Sequence, residues 1–220
     1  MTPQTTLDQI NRLVRHLVET GLADDQRSAF RRGTSVVEVT FDSAGQVSAA
    51  LGNTSYTEVY EVFARDRVFN ARLLDGALIQ MMYKFTDNAL EQHRLAFFPA
   101  PHLEQFGRDP DVYLEDRLYA DIVGRDVLPL PVRFDFDARD DRHQEITHPK
   151  SHLTLGEYAE CRIPVSAPLT PHRFIDFILR SFYQSRSEEE VVNRLPRFAG
   201  RFANSIALAE RSVLHIVVPP

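Results

Sequence analysis

Between Arg133 and Ser166 the chain gathers side chains that move protons and hold anions: Arg133, Asp135, Asp137, His143, His148, Lys150, His152 and Arg162. Histidine titrates nearest neutrality, so two of them can serve one reaction as proton donor and proton acceptor. Arginine and lysine can balance the charge of a phosphate passing through a pentavalent state. His148 and His152 as proton carriers, Lys150, Arg162 and Arg133 as cations, and Asp135 to orient an imidazole form the inventory of a metal-independent phosphodiester cleavage. The same imidazoles with Asp135 or Asp137 as a third ligand would suit a metal. The plainer alternative is structural, with His148 bonding backbone at a loop end and His152 paired with Asp135. Residue types alone leave all three open. We take the metal-free reading as the working expectation, with no metal and no cofactor.

Spacing narrows where these groups can sit. His148 and His152 are four apart, the interval that shares a helical face, but Pro149 drives His148 out of the helical region. If residues 151–158 form a strand, His152, Thr154 and Gly156 share one face and His148 belongs to the entering loop. In Val132–Asp137 strict alternation places Val132, Phe134 and Phe136 on one face and Arg133, Asp135 and Asp137 on the other. Lys150 stands out in a chain whose only other lysine is Lys84. Arg133 and Arg162 also have a plain explanation as cross-strand partners of carboxylates.

Leu7, Ile10, Leu13, Val14, Leu17 and Val18 keep helical spacing over 6–20, and Gly21 is the stop. Residues 35–41 and 46–51 read as a hairpin joined by Asp42-Ser43-Ala44-Gly45. Residues 56–63 lean to helix. From Ala77 a series of β-rich runs follows, at 77–85, 93–100, 118–124, 130–137, 151–158 and 161–166, which indicates an antiparallel sheet over about 77–166. Thr170-Pro171 opens a helix whose Phe174, Ile175, Phe177, Ile178, Leu179, Phe182 and Tyr183 make it apolar over much of its circumference, as expected for a helix buried against that sheet. Ser187 and Glu190 have capping-box spacing, for a helix that weakens near Leu195-Pro196. A further helix at 204–210 and a strand at 213–218 close the chain. The expected fold is α+β, an antiparallel sheet packed on a buried C-terminal helix, with an N-terminal helix and hairpin, in one domain over 1–220.

Composition limits the function. With 220 residues and 43% hydrophobic content the chain can bury a real core. A net charge of −6 argues against wholesale attraction to nucleic acid while allowing a local basic face. Cys161, the sole cysteine, cannot close an internal disulfide and falls in an expected strand, as a buried inert thiol. No window of about 18 apolar residues exists, and the opening MTPQTTLDQ lacks the regions of a secretory signal. The expectation is a cytoplasmic protein with no membrane partner. The loop Pro99–Glu104, with His102, and the group Asp116, Tyr119 and Asp121 read as turns rather than sites. Arg180, Arg186, Arg194, Arg197, Arg201 and Arg211 read as solvated helix faces.

The run THPKSHLTLGEYAECRIPVSAPLTPHRFIDFILRSFY resembles the bacterial family called domain of unknown function 2290. MMYKF, RLAFFPAPHLE and RFDFD extend the resemblance over nearly the whole chain. It implies a single-domain bacterial protein and assigns no reaction. Arg133-Phe134-Asp135 followed by His148 and His152-Leu153 is also similar to small toxins of toxin–antitoxin pairs. Those toxins typically carry another histidine two residues past the position of His152, where this chain has Thr154. The leading expectation is a bacterial toxin-like or defence-associated protein that recognises RNA or a nucleotide and cleaves a phosphodiester. The competing one is a non-catalytic subunit that binds a protein encoded by a neighbouring gene.

Overall fold

A computed structural model of the chain describes residues 1–46, 55–101, 130–156, 160–183 and 191–219. Helix α1 spans Pro3–Glu19 and is opened by a reciprocal cap in which Thr2 accepts the Thr5 amide and Thr5 answers the Thr2 amide. Gly21, at φ 74°, turns the chain out of it. Helix α2, Tyr56–Arg65, is capped the same way by Ser55 and Glu58. Helix α3, Pro171–Phe182, begins with proline, and Thr170 accepts the Arg173 amide.

Among the described residues there are nine strands, β1 Ala23–Gln26, β2 Phe30–Arg32, β3 Val36–Thr40, β4 Ala71–Leu73, β5 Leu78–Thr86, β6 Ala89–Phe98, β7 Val132–Asp137, β8 Ser151–Leu155 and β9 Ile163–Pro164. They form one antiparallel sheet of order β1-β4-β5-β6-β7-β8-β9, with the β2–β3 pair attached to β5 through β3. Its long central hairpin, β5–β6, turns on Asp87 and Asn88, both at positive φ, as a two-residue connection requires.

One face of the sheet is fully covered. Tyr83, Phe85, Leu95, Phe97, Phe134 and Leu153 join Ile10, Leu13, Val14 and Leu17 of α1 and Phe174, Ile175 and Ile178 of α3 in one buried cluster. The start of α3 is pinned there: the Tyr83 hydroxyl donates to the Leu169 carbonyl at 3.0 Å, and His93 Nε2 accepts the Leu169 amide at 3.2 Å. Among the described residues the second face is covered at one end, where Val59 and Phe63 of α2 pack with Phe69, Leu78, Ala96 and Phe98. Beyond that cluster the same face turns polar.

The α+β class and the sheet-on-helix arrangement match the sequence pattern, while four local expectations do not. Residues 35–41 do not take a hairpin partner from the chain just after Gly45, because β3 already has β2 on one edge and β5 on the other. The chain turns instead through a short 3₁₀ segment, Ala44–Gln46, and the rest of the expected partner strand lies outside the described residues. The expected helix at 204–210 is extended chain followed by a 3₁₀ turn, Ala209–Ser212, and the expected terminal strand makes only one parallel bridge, Ile216 with Val165. Pro164 has no N–H to propagate that pairing. Cys161 is half-buried and precedes β9 rather than lying in a strand. The expected strand at 118–124, the carboxylates Asp116 and Asp121 with Tyr119, His102, and the capping box at 187–190 lie outside the described residues.

Phe174 is fully buried and meets Phe134 edge-on at 6.3 Å between ring centres. Phe174→Ala should cost about 3–5 kcal/mol in urea unfolding. A loss below about 1 kcal/mol would show that α3 is not the principal support of the sheet.

Candidate functional site

The polar half of the second sheet face is written by strand register. Arg94 of β6 stands opposite Asp135 of β7, and Asp135 stands opposite His152 of β8. One step along, Lys84, Gln92 and Asp137 form the adjoining row. Because alternation buries Val132, Phe134 and Phe136 toward the other face, Arg133, Asp135 and Asp137 project to this side.

Asp135 organises the centre. Its Oδ1 accepts Arg94 Nε at 3.2 Å and its Oδ2 accepts Arg133 Nε at 2.5 Å. Burial alone would raise its pKa, but Arg133 and Arg94 outweigh it and hold the carboxyl below its ordinary value. Arg139 grips Asp137 through three N–H···O contacts, and with a further bond from Gln92 keeps Asp137 down to about 2 despite partial desolvation.

The segment 138–150 leaves β7 and returns to β8 as an overhanging loop. The Gln144 and His148 main chains bond each other, and between them exposed Ile146 sits at φ 68°, a conformation that a β-branched side chain rarely adopts. The loop brings His148 beside His152, with ring centres 5.4 Å apart. Each imidazole spends its Nδ1 proton on a main-chain carbonyl, His148 on Arg142 at 2.5 Å and His152 on Pro149 at 2.8 Å. A carbonyl can only accept, so both rings carry hydrogen on Nδ1 and, when neutral, leave Nε2 as a lone pair. Among the described residues neither Nε2 has a hydrogen-bond partner; His152 Nε2 lies 4.0 Å from Asp135 Oδ2. Burial is the main force lowering the His152 pKa, with His148 and Arg162 adding to it against the pull of Asp135 and the Pro149 carbonyl.

These groups line a cleft of about 590 Å³ in which arginine and lysine outnumber carboxylates. Much of that charge is matched: Lys84 bonds Glu91 at 2.8 Å and Lys150 bonds the exposed Asp140 at 2.6 Å. Arg94 and Arg133 share a single carboxylate, and Arg162 has no ion-pair partner among the described residues. The positive excess therefore lies beside the two imidazoles, where a phosphate would be stabilised.

All six sequence-chosen residues, His148, His152, Lys150, Asp135, Arg162 and Arg133, line this one cleft. Asp135 does not hydrogen-bond His152; the Pro149 carbonyl orients that ring, and Asp135 instead holds the arginines. Among the described residues no three His, Cys, Asp or Glu side chains are grouped as metal ligands. Sequence reasoning missed Arg94, Arg139 and the pair His143–Glu210, joined at 2.9 Å. Arg94 alternates with buried His93 and Leu95 along β6, so its outward face was readable, but its place opposite Asp135 needed the register.

The family model for "Uncharacterized conserved protein (DUF2290)" matches residues 22–218. The chain belongs to the DUF2290 family. The match takes in every described strand of the sheet and every residue of the cleft named above, and leaves out the whole of α1. No curated protein and no solved structure matches this DUF2290 chain. Among the described residues no helix is long and apolar enough to cross a membrane.

Buried His93 and partly exposed Asp137 both shape how the fold responds to acid. Burial pushes His93 down to about 4, so the folded protein resists a proton that the unfolded chain takes up below about 6.5. Stability should fall as pH drops from 6.5 toward 4, by up to about 3 kcal/mol from this residue. Asp137 contributes stability that is present above about pH 4 and lost as pH falls toward its folded value of about 2. Urea midpoints measured against pH should show both stages, His93→Gln flattening the upper and Asp137→Asn the lower. A wild-type midpoint constant from pH 6.5 to 4.5 would contradict the burial of a neutral His93.

Proposed function

We propose that this protein binds RNA in the cationic cleft and cleaves its phosphodiester backbone by histidine acid–base chemistry, as a bacterial toxin-like or defence-associated protein. One observation carries the reading: two imidazoles, each held in the Nδ1–H tautomer by a backbone carbonyl, meet where the cleft has unmatched positive charge. His152, kept neutral by burial, is the base. Its Nε2 takes the proton of a ribose 2′-hydroxyl, whose oxygen forms a bond to phosphorus as the bond to the departing 5′-oxygen breaks. His148 at the rim, in its protonated form, delivers a proton to that 5′-oxygen. The products are a 2′,3′-cyclic phosphate and a free 5′-hydroxyl. Arg162, with Lys150 released from Asp140, balances charge on the pentavalent phosphate, while Asp135 keeps Arg94 and Arg133 in place and faces the imidazolium formed on His152.

A second reading, a non-catalytic subunit that binds another protein, draws support from Leu208 and Leu214, which are 82% and 88% exposed in the C-terminal segment. The two readings separate cleanly in the double variant His148→Asn, His152→Asn. Asparagine can keep each bond to the backbone carbonyl and removes each Nε2. RNA cleavage, followed by the appearance of 2′,3′-cyclic ends, should fall by about 10²–10⁴-fold for each single change, with little change in melting temperature. A 2′-deoxy residue at the scissile position should block the reaction. Undiminished cleavage by the folded double variant, or undiminished toxicity on expression, would overturn the catalytic reading.

A further inference from the structure

Glu210 is the most enclosed carboxylate among the ion pairs of the described residues, with its side chain 1% exposed. It lies in the 3₁₀ turn Ala209–Ser212, outside the sheet and far in sequence from the cleft. Burying a carboxylate is costly unless both oxygens are matched, and here both are. Oε2 accepts the Ala207 amide at 2.8 Å, and Oε1 accepts the His143 Nε2 proton at 2.9 Å. An apolar side chain in the turn would have served packing at lower cost, so the pair has to be explained by what it holds.

It holds the loop that carries His148. The carbonyl that accepts the His148 Nδ1 proton belongs to Arg142, so it sits in the peptide unit joining Arg142 to His143. Anchoring the His143 ring therefore fixes the plane and direction of that carbonyl. Packing does little to fix the loop: its residues 140–142 form a 3₁₀ turn with no buried side chain, its tip carries Ile146 at positive φ, and its Lys150–Asp140 pair is exposed. The anchor is itself secured, since the C-terminal segment is tied to the sheet edge by Ile216 N–H to the Pro164 carbonyl and Ser166 N–H to the Ile216 carbonyl, each 2.8 Å.

We infer that Glu210 is a positioning residue: from the C-terminal segment, through His143 and the Arg142 carbonyl, it fixes the tautomer and direction in which His148 presents Nε2 to the cleft. Its consequence for catalysis rests on the acid–base reading above, whereas its effect on His148 does not.

The test follows ¹⁵N signals of His148 together with RNA cleavage, in wild type, Glu210→Ala, His143→Ala and His143→Gln. Wild type should show His148 in the Nδ1–H tautomer. Glu210→Ala and His143→Ala should give mixed tautomers and lower kcat by about tenfold or more, with KM within about twofold. His143→Gln, whose amide can donate to the same Glu210 oxygen, should restore both the tautomer and most of kcat. If Glu210→Ala does not fold, the two His143 variants carry the comparison with Glu210 still bonded to Ala207. An unchanged His148 tautomer in Glu210→Ala or His143→Ala overturns the inference. A wild type that cleaves no RNA, or a displaced tautomer with undiminished kcat, overturns the acid–base reading and leaves the positioning decided by the ¹⁵N signals.

Discussion

Asp135 sits on an inner strand with an arginine opposite it on β6, another two residues before it on its own strand and a histidine opposite it on β8. Left alone in that position a carboxylate would be forced toward its neutral form; two guanidiniums reverse this and keep it charged. The bargain works in both directions, because half-buried arginines also need an anion. The result is a fixed array in which one negative charge secures two positive ones and leaves a surplus facing the cleft. Such a surplus, walled by low-dielectric protein, is the local field that the proposed RNA binding needs in a chain whose overall charge is −6.

This array is available because the sheet is covered unevenly. Helices α1 and α3, with Val191, Leu195 and Phe202 of the C-terminal segment, cover one face, while among the described residues α2 covers one end of the other. The open end cannot be apolar without exposing a large hydrophobic patch, and strand alternation supplies the polar residues that fill it. Its loop, 138–150, is held less by packing than by directed bonds: Lys150 to Asp140, Gln144 to His148, and His143 to Glu210. A loop held by such bonds can place donors and acceptors closely without a large core of its own.

How much of this could be read in the sequence depended on periodicity. The alternation in Val132–Asp137 announced both faces of β7, and Pro149 correctly separated the loop histidine from the strand histidine. The helical spacing of α1 and the Thr170-Pro171 start of α3 were equally plain. The short strands β1, β2 and β4 were not, because Ala23–Gln26, Phe30–Arg32 and Ala71–Leu73 are too brief to show a period and exist through their partners. The hairpin after β3 was misjudged for the same reason, since only the three-dimensional pairing shows that both its edges are taken. Arg94 and Glu210 are longer-range still: one needs a register across β6 and β7, the other a contact spanning 67 residues.

The claim on which the account stands is that an RNA phosphate settles between the two imidazoles and Arg162. Its most direct measurement is a titration with a short 2′-O-methyl RNA, which cannot supply the attacking hydroxyl, monitored through the ¹⁵N signals of all histidines. The account predicts saturable shifts at Nε2 of His148 and His152, weakened by salt and abolished by Arg162→Gln, with His16 and His215 unmoved. Shifts confined to other histidines, or none at any RNA concentration, would contradict it.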